Sequence, residues 1–305
     1  MRLLAGLFAV LIGTPAITPA MAQQSATGEP LANRIAAATE ALSQFRALDN
    51  GVWAGVSAGR IDDRRPSLSR KITVRALQFG YDRRFAQPFT NNDQLVLGLA
   101  GALLKASSKS DAQNLQIDSK GWNVTGYGVY APYFFLSFPV SVTVGRWDSD
   151  QTRDGTPLLP TYRASYDSNS FASSVGAALT LPLARYLMTA SLTHRYSSNK
   201  RPAYTEAINP LATDFLTTPG ETTRSSQAVG NLRLALPFET GRLWASAGYA
   251  YDIARSPGES TRSEFPLGLG LDVTTQRWLF GAAGQVVLRQ DITSYTGALT
   301  ARLQF

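Results

Sequence analysis

Along most of the chain, apolar and polar residues alternate one by one. Leu136, Phe138, Val140, Val142 and Val144 alternate with Ser137, Ser141 and Thr143. Further on, Leu267, Leu269, Leu271 and Val273 alternate with Gly268, Gly270, Asp272 and Thr274. At the end, Tyr295, Leu299, Leu303 and Phe305 alternate with Thr296, Thr300, Arg302 and Gln304. A strand sends successive side chains to opposite faces, so each segment has one greasy and one polar face. About twelve such strands are predicted, at 51–60, 71–84, 93–106, 121–131, 133–147, 168–181, 183–196, 226–237, 240–254, 264–274, 277–289 and 293–305. Pro139 falls inside one of them and cannot donate to a ladder, so a bulge or a displaced boundary is expected there.

Soluble sandwiches alternate too, but three features point to a membrane. The segments have the length that a tilted strand needs to cross a bilayer. Their polar face is rich in Gly, Ala, Ser, Thr and Gln, as suits a wet interior. Aromatics such as Trp53, Tyr81, Trp122, Tyr130, Trp147, Tyr186, Tyr196 and Trp278 gather near segment ends, where interfacial girdles belong. Short connections at 132, 182, 238–239 and 275–276 alternate with longer ones at 61–70, 107–120, 148–167, 197–225 and 255–263. That rhythm fits short periplasmic turns and long outer loops. Backbone groups left open in hydrocarbon cost several kcal/mol each, so the sheet has to close on itself. The fold class expected is all-β: a transmembrane antiparallel barrel of about twelve strands over residues 51–305.

The beginning of the chain follows other rules. Residues 1–22 have the parts of a secretory signal peptide: Arg2, the apolar run Leu3–Ile12, and Ala20-Met21-Ala22 as a cleavage site. Export to the outer membrane of a diderm bacterium follows. Residues 23–50 form a short linker in which Leu31, Ile35, Ala38, Leu42 and Phe45 recur at helical spacing. A helix over Glu29–Leu48 would be roughly 30 Å long, and its expected place is inside the pore.

Composition narrows the reading little further. Charged residues are 17%, and the net charge of +7 is spread among acidic residues without a basic block, so no nucleic-acid partner is expected. Without cysteine there is no disulfide framework and no thiolate site. Candidate pore-lining residues on the polar register are Gln78, Asp82, Arg233, Asp252, Asp272, Gln285, Arg289 and Arg302. Asp82 and Asp252 could form an acid–base pair, but ion pairs that brace the interior suit a narrow lumen better. Gly126-x-Gly128 and Gly268-x-Gly270 are expected to put small side chains toward the lumen. Arg60-Ile61-Asp62-Asp63-Arg64-Arg65 should begin the first outer loop, expected as a solvated loop with internal ion pairs; the alternative is that its arginines meet lipopolysaccharide phosphates. No catalytic residue, cofactor or metal is expected.

Val52-Trp53, the run Leu77-Gln78-Phe79-Gly80-Tyr81-Asp82-Arg83-Arg84, Leu95-Val96-Leu97-Gly98 and Gly126-Tyr127-Gly128-Val129-Tyr130 resemble the autotransporter (type V secretion) β-domain. The likeness covers residues 51–305 and implies a twelve-stranded barrel with a helix in the pore. It also implies that Tyr295, Leu299, Leu303 and the terminal Phe305 form the signal read by the barrel-assembly machinery. Only residues 23–50 stand where the family carries a long passenger, and Asn33 is followed by Arg34 rather than a second asparagine. The expected function is a stand-alone surface anchor or minimal translocator among outer-membrane lipids and lipopolysaccharide. The alternative is a small pore or ligand-binding barrel that works through its long outer loops. A third class, a lipid-hydrolysing enzyme, rests on His194-Arg195-Tyr196-Ser197-Ser198-Asn199, which is similar to the His-x-Ser-Asn motif of lipid A deacylases. His194 and Ser197 are three apart, so a regular strand points them to opposite faces, and His194 is expected on the lipid-side register as a residue of the interfacial girdle. An oligomeric state is not encoded in these features.

Overall fold

The computed structural model describes residues 50–65, 69–110, 114–153, 161–207, 215–255 and 262–305. The signal segment and the helix expected over Glu29–Leu48 lie outside the described residues. Within them the chain forms fourteen strands: β1 (Gly51–Asp63), β2 (Arg70–Ala86), β3 (Gln94–Ser110), β4 (Leu115–Tyr133), β5 (Leu136–Arg153), β6 (Tyr162–Leu183), β7 (Tyr186–Arg201), β8 (Tyr204–Ala207), β9 (Phe215–Thr218), β10 (Glu221–Phe238), β11 (Gly241–Arg255), β12 (Ser263–Thr274), β13 (Trp278–Arg289) and β14 (Ile292–Gln304). Twelve are long and pair antiparallel with their neighbours, while β8 and β9 form a small hairpin in one connection. The first and last strands complete the ring, with Gly51 opposite Gln304 and Asp63 opposite Ile292. The sheet is a closed twelve-stranded barrel.

Both Gly51 and Phe305 lie at one end, here the near end. Its connections are residues 87–93, 134–135, 184–185, 239–240 and 275–277. The near-end turn at 87–93 is tied by Asp93, whose carboxylate accepts from the backbone N–H groups of Phe89 and Thr90 at 3.2 and 3.0 Å. At Pro139 the predicted irregularity falls on the partner strand: the β4–β5 register shifts between Tyr130 and Tyr133.

The long outer loops are smaller than the sequence pattern suggests. Residues 61–63, 107–110, 115–120, 148–153, 162–167 and 197–201 continue the strands past the apolar belt. The reason is a change of phase. In β2, Leu77, Phe79 and Tyr81 face out while Gln78 and Asp82 are buried inside; beyond Ala76 the order inverts, and Ile72 and Val74 are buried while Lys71, Thr73 and Arg75 face out. In β3 the adjacent pair Leu103 and Leu104 marks the same switch. Facing lipid, a strand turns its apolar side outward; facing water, it buries that side. A search for one constant alternation stops at the switch and mistakes the rest for loop.

On β1–β3, β5 and β14 the far half of the interior is therefore apolar, built from Ile61, Ile72, Val74, Leu104, Trp147 and Ile292 with several alanines, whereas on β10–β13 it stays polar, with Gln227, Asp252, Glu264 and Arg289. This corrects the expectation of a uniformly small and polar lining. Two of the aromatics assigned to the girdles belong inside as well. Trp53 and Trp147 are buried, whereas Tyr81, Trp122 and Trp278 do face outward. Trp53 and Trp147 lie over the inward glycines Gly80 and Gly121, where a Cβ would clash with the ring. Glycine there is required by close approach. Gly126 faces outward with open space around its Cα, and the inward residue at that point is Tyr127. Gly268 and Gly270 do point inward.

The lipid-facing belt predicts a depth-dependent cost. Leu269→Arg, in the middle of the β12 outer face, should destabilise the folded barrel by about 2–4 kcal/mol in urea unfolding from lipid vesicles. Gln116→Arg, outward on β4 beyond the belt, should change stability by less than about 0.5 kcal/mol. Equal costs at the two positions would contradict the placement of the belt.

Candidate functional site

Inside such a wall every charge has to find a partner, because a buried unpaired ion costs several kcal/mol. The eight candidate pore residues all occupy inward positions; Gln285 is half-buried and the other seven are buried. Gln78 donates to Ser57 Oγ at 3.3 Å near the middle of the wall. The remaining candidates, apart from Gln285, gather in clusters toward the two mouths.

At the near end, Asp82 of β2 and Arg302 of β14 meet across the intervening β1. Arg302 holds both carboxylate oxygens, at 2.5 Å (Nη2–Oδ1) and 3.0 Å (Nη1–Oδ2). The Tyr127 hydroxyl donates to Oδ2 at 3.1 Å and itself accepts from Trp53 Nε1 at 3.2 Å. Four strands around the seam thus share one buried polar network. A second near-end cluster puts Asp272 at 2.7 Å from Arg242 and at 3.8 Å from Arg233. The Arg233 guanidinium also lies 4.2 Å from the centre of the Trp244 ring, whose π face suits the second cation.

Arg289 organises the far end, gripping Asp252 at 2.7 Å and Glu264 at 3.0 Å. Gln227 donates to the same two carboxylates at 2.7 and 3.4 Å. Asp63 pairs with Arg65 at 2.7 Å and Arg70 at 3.4 Å. Glu206 on the β8 hairpin accepts from Gln151 at 2.7 Å and Arg153 at 3.2 Å. Asp82 and Asp252 therefore sit in separate clusters at opposite mouths and form no acid–base pair.

Sequence reasoning missed Asp63, Arg70, Gln151, Glu206, Gln227, Arg242 and Glu264. For Asp63, Arg70 and Gln151 the signal was available: they keep the inward parity of β1, β2 and β5 beyond the phase switch. The partners of each charge depend on the strand stagger, which no local pattern shows. The run Arg60–Asp63 continues β1 instead of opening a loop; Arg60 and Asp62 face out and pair at 2.8 Å.

His194 lies on the outward face of β7, and its Nε2 is 2.8 Å from Ser226 Oγ on β10. Ser197 has the opposite parity, as its spacing requires. Among the described residues no carboxylate bonds this imidazole, and a serine–histidine pair without an orienting acid is not a hydrolytic triad. Tyr295, Leu299, Leu303 and Phe305 all occupy the outward face of the last strand, with Leu303 half-buried opposite Trp278.

Most of the inner ion pairs share one arrangement. They join groups beside one connection or on strands at most two places apart around the ring, and one further pair, Arg153–Glu206, ties β5 to the β8 hairpin at the far mouth. Among the described residues these pairs let neighbouring strands of the wall neutralise one another's charges.

Comparison with known proteins adds three solved structures and one family. The autotransporter beta-domain family matches residues 52–298. The translocator domain of autotransporter NalP from Neisseria meningitidis superposes with a TM-score of 0.71 at 14% identity, covering 84% of this chain and 89% of that one. The β domain of the Bordetella autotransporter BrkA gives 0.68 at 15% identity, covering 84% and 99%. The transport unit of the autotransporter AIDA-I from Escherichia coli gives 0.55 at 14% identity, covering 84% and 90%. No curated protein matches the sequence. At these identities the structures speak for the fold alone.

The seam network makes a sharp prediction. Arg302→Met leaves Asp82 buried without its cation and should cost about 3–5 kcal/mol in urea unfolding. Asp82→Leu combined with Arg302→Met should recover most of that loss. Additive losses in the double variant would show that the two groups do not act as a pair.

Proposed function

Because the chain belongs to the autotransporter β-domain family, we propose that it serves as a minimal translocator and surface anchor, carrying the short segment 23–50 through its own bore. Barrels of this family reside in the outer membrane, and this barrel does too. In the proposed orientation the near end, with both Gly51 and Phe305, faces the periplasm and the far end faces the cell surface, as short turns and longer loops require.

The observation that supports the reading is the direction of the ion pairs between ring strands, which among the described residues run along the wall. A channel that admits a chain segment cannot be spanned by ion pairs, since opening each would cost several kcal/mol. Charges paired along the wall avoid that cost. Segment 23–50 joins the barrel at the periplasmic mouth. Asn50 is fixed there, its side chain accepting from the Arg84 backbone N–H at 3.2 Å and its carbonyl from that of Phe305 at 3.0 Å. A helix is about 10–12 Å across, so the amphipathic stretch Glu29–Leu48 would fill the bore and close it to solutes. The outward apolar face of β14 would present Tyr295, Leu299, Leu303 and Phe305 to the assembly machinery before insertion.

Two measurements test the proposal. An epitope inserted after Gln23 should be labelled by antibody on intact cells; labelling only after permeabilisation would overturn translocation. Deleting residues 29–48 should raise single-channel conductance in planar bilayers several-fold. Conductance already high in the intact protein, and unchanged by the deletion, would favour an open pore working through its outer loops.

A further inference from the structure

The outer wall of the barrel is not an even cylinder. Over β12, β13, β14, β1 and β2 the lipid-facing surface is hollow, because its outward residues there are small: Ala58, Ala282, Gly284 and Gly297. A Cβ built on Gly284 or Gly297 would meet nothing closer than 4.0 Å. Leucines flank this floor on both sides, and the hollow encloses about 930 Å³. Toward the surface end a second hollow of about 770 Å³ continues it, bordered by Tyr295, Arg60 and Arg75.

The same wall carries an unusual charge row. Val56, Leu77, Leu103 and Trp122 are cross-strand neighbours and form the last apolar row of the belt on β1–β4. One step beyond, Arg75 stands directly opposite Lys105, and Lys105 directly opposite Lys120. All three side chains point outward and are exposed. Among the described residues, none of the three has a hydrogen-bond or ion-pair partner. Like charges facing each other across strands are destabilising, and this row has two such pairs in succession. The next positions in the row, Asp148 of β5 and Asp167 of β6, are acidic and lie beside Arg146, which pairs with both. The positive row thus runs over β2, β3 and β4, and its Arg75 and Lys105 line the hollow itself.

An apolar trough in the hydrocarbon layer, topped by clustered cations at headgroup level, is complementary to a lipid with several acyl chains and more than one phosphate. The outer leaflet supplies that chemistry as lipopolysaccharide. We propose that this wall is a lipopolysaccharide-binding site, with acyl chains lying over Ala58, Gly284 and Gly297 and phosphates neutralising Arg75, Lys105 and Lys120. The inference rests on the orientation above and is independent of what passes through the bore.

The test is native mass spectrometry of the full chain released from micelles, titrated with lipid A, dephosphorylated lipid A or phosphatidylglycerol. Wild-type protein should retain lipid A at least tenfold more tightly than either other lipid. The triple variant Arg75→Ser, Lys105→Ser and Lys120→Ser should lose most of that preference. Gly297→Phe, which fills the hollow from open space, should weaken lipid A binding several-fold with the cations intact. The two control lipids act on unaltered protein, so a folding defect in a variant cannot mimic the result. Equal retention of lipid A and phosphatidylglycerol by the wild type would overturn the proposal. So would undiminished lipid A binding by a triple variant that still shows the heat-modifiable gel mobility of a folded barrel.

Discussion

In hydrocarbon no water is present to satisfy a backbone N–H or C=O, and this one constraint shapes the molecule. It requires the sheet to close, which β1 and β14 accomplish along the full length of β1. With the backbone satisfied by its neighbours, side chains are sorted by what lies on each side of the wall. Where lipid lies outside, leucine, valine and phenylalanine face out and polar residues face in. Where the strands rise into water, the sorting reverses, and Ile61, Ile72, Leu104 and Trp147 form an apolar interior. The membrane boundary is thus written into the chain as a half-period slip, visible at Ala76-Leu77 and at Leu103-Leu104.

This explains which parts of the structure were legible beforehand. The twelve barrel strands and their order follow from alternation and length, and most of their near ends fall within a few residues of the structure. The far ends of β3–β7 and β10 run four to six residues further than the reading placed them, because the apolar outward face on which it relied ceases at the headgroups. Trp53 and Trp147 illustrate a second limit. Being aromatic and near a strand end suggests an interfacial girdle, but parity puts both rings inside, over glycines on the next strand. For Gly126-x-Gly128 the same parity argument, applied through Tyr127, would have placed the glycines on the lipid side.

The inward parity of the candidate charges was legible; their partners were not. Arg289 reaches Asp252 and Glu264 on two other strands, and His194 meets Ser226 on β10 rather than the serine three residues away. Such pairings depend on the stagger of the closed sheet, a property of the whole ring. Among the described residues the pairings between ring strands have one direction in common, along the wall. A wall arranged in this way is braced at both mouths by pairs that join near neighbours in the ring.

The Asp82–Arg302 contact joins groups 220 residues apart in the chain. Until β1 pairs with β14 the two groups lie on opposite edges of an open sheet, so Asp82 and Arg302 meet only when the ring closes. A nascent or truncated chain therefore carries an uncompensated carboxylate exactly where the sheet is open. Closure is rewarded abruptly rather than by degrees, so the ion pair acts as a latch that separates closed barrels from open ones.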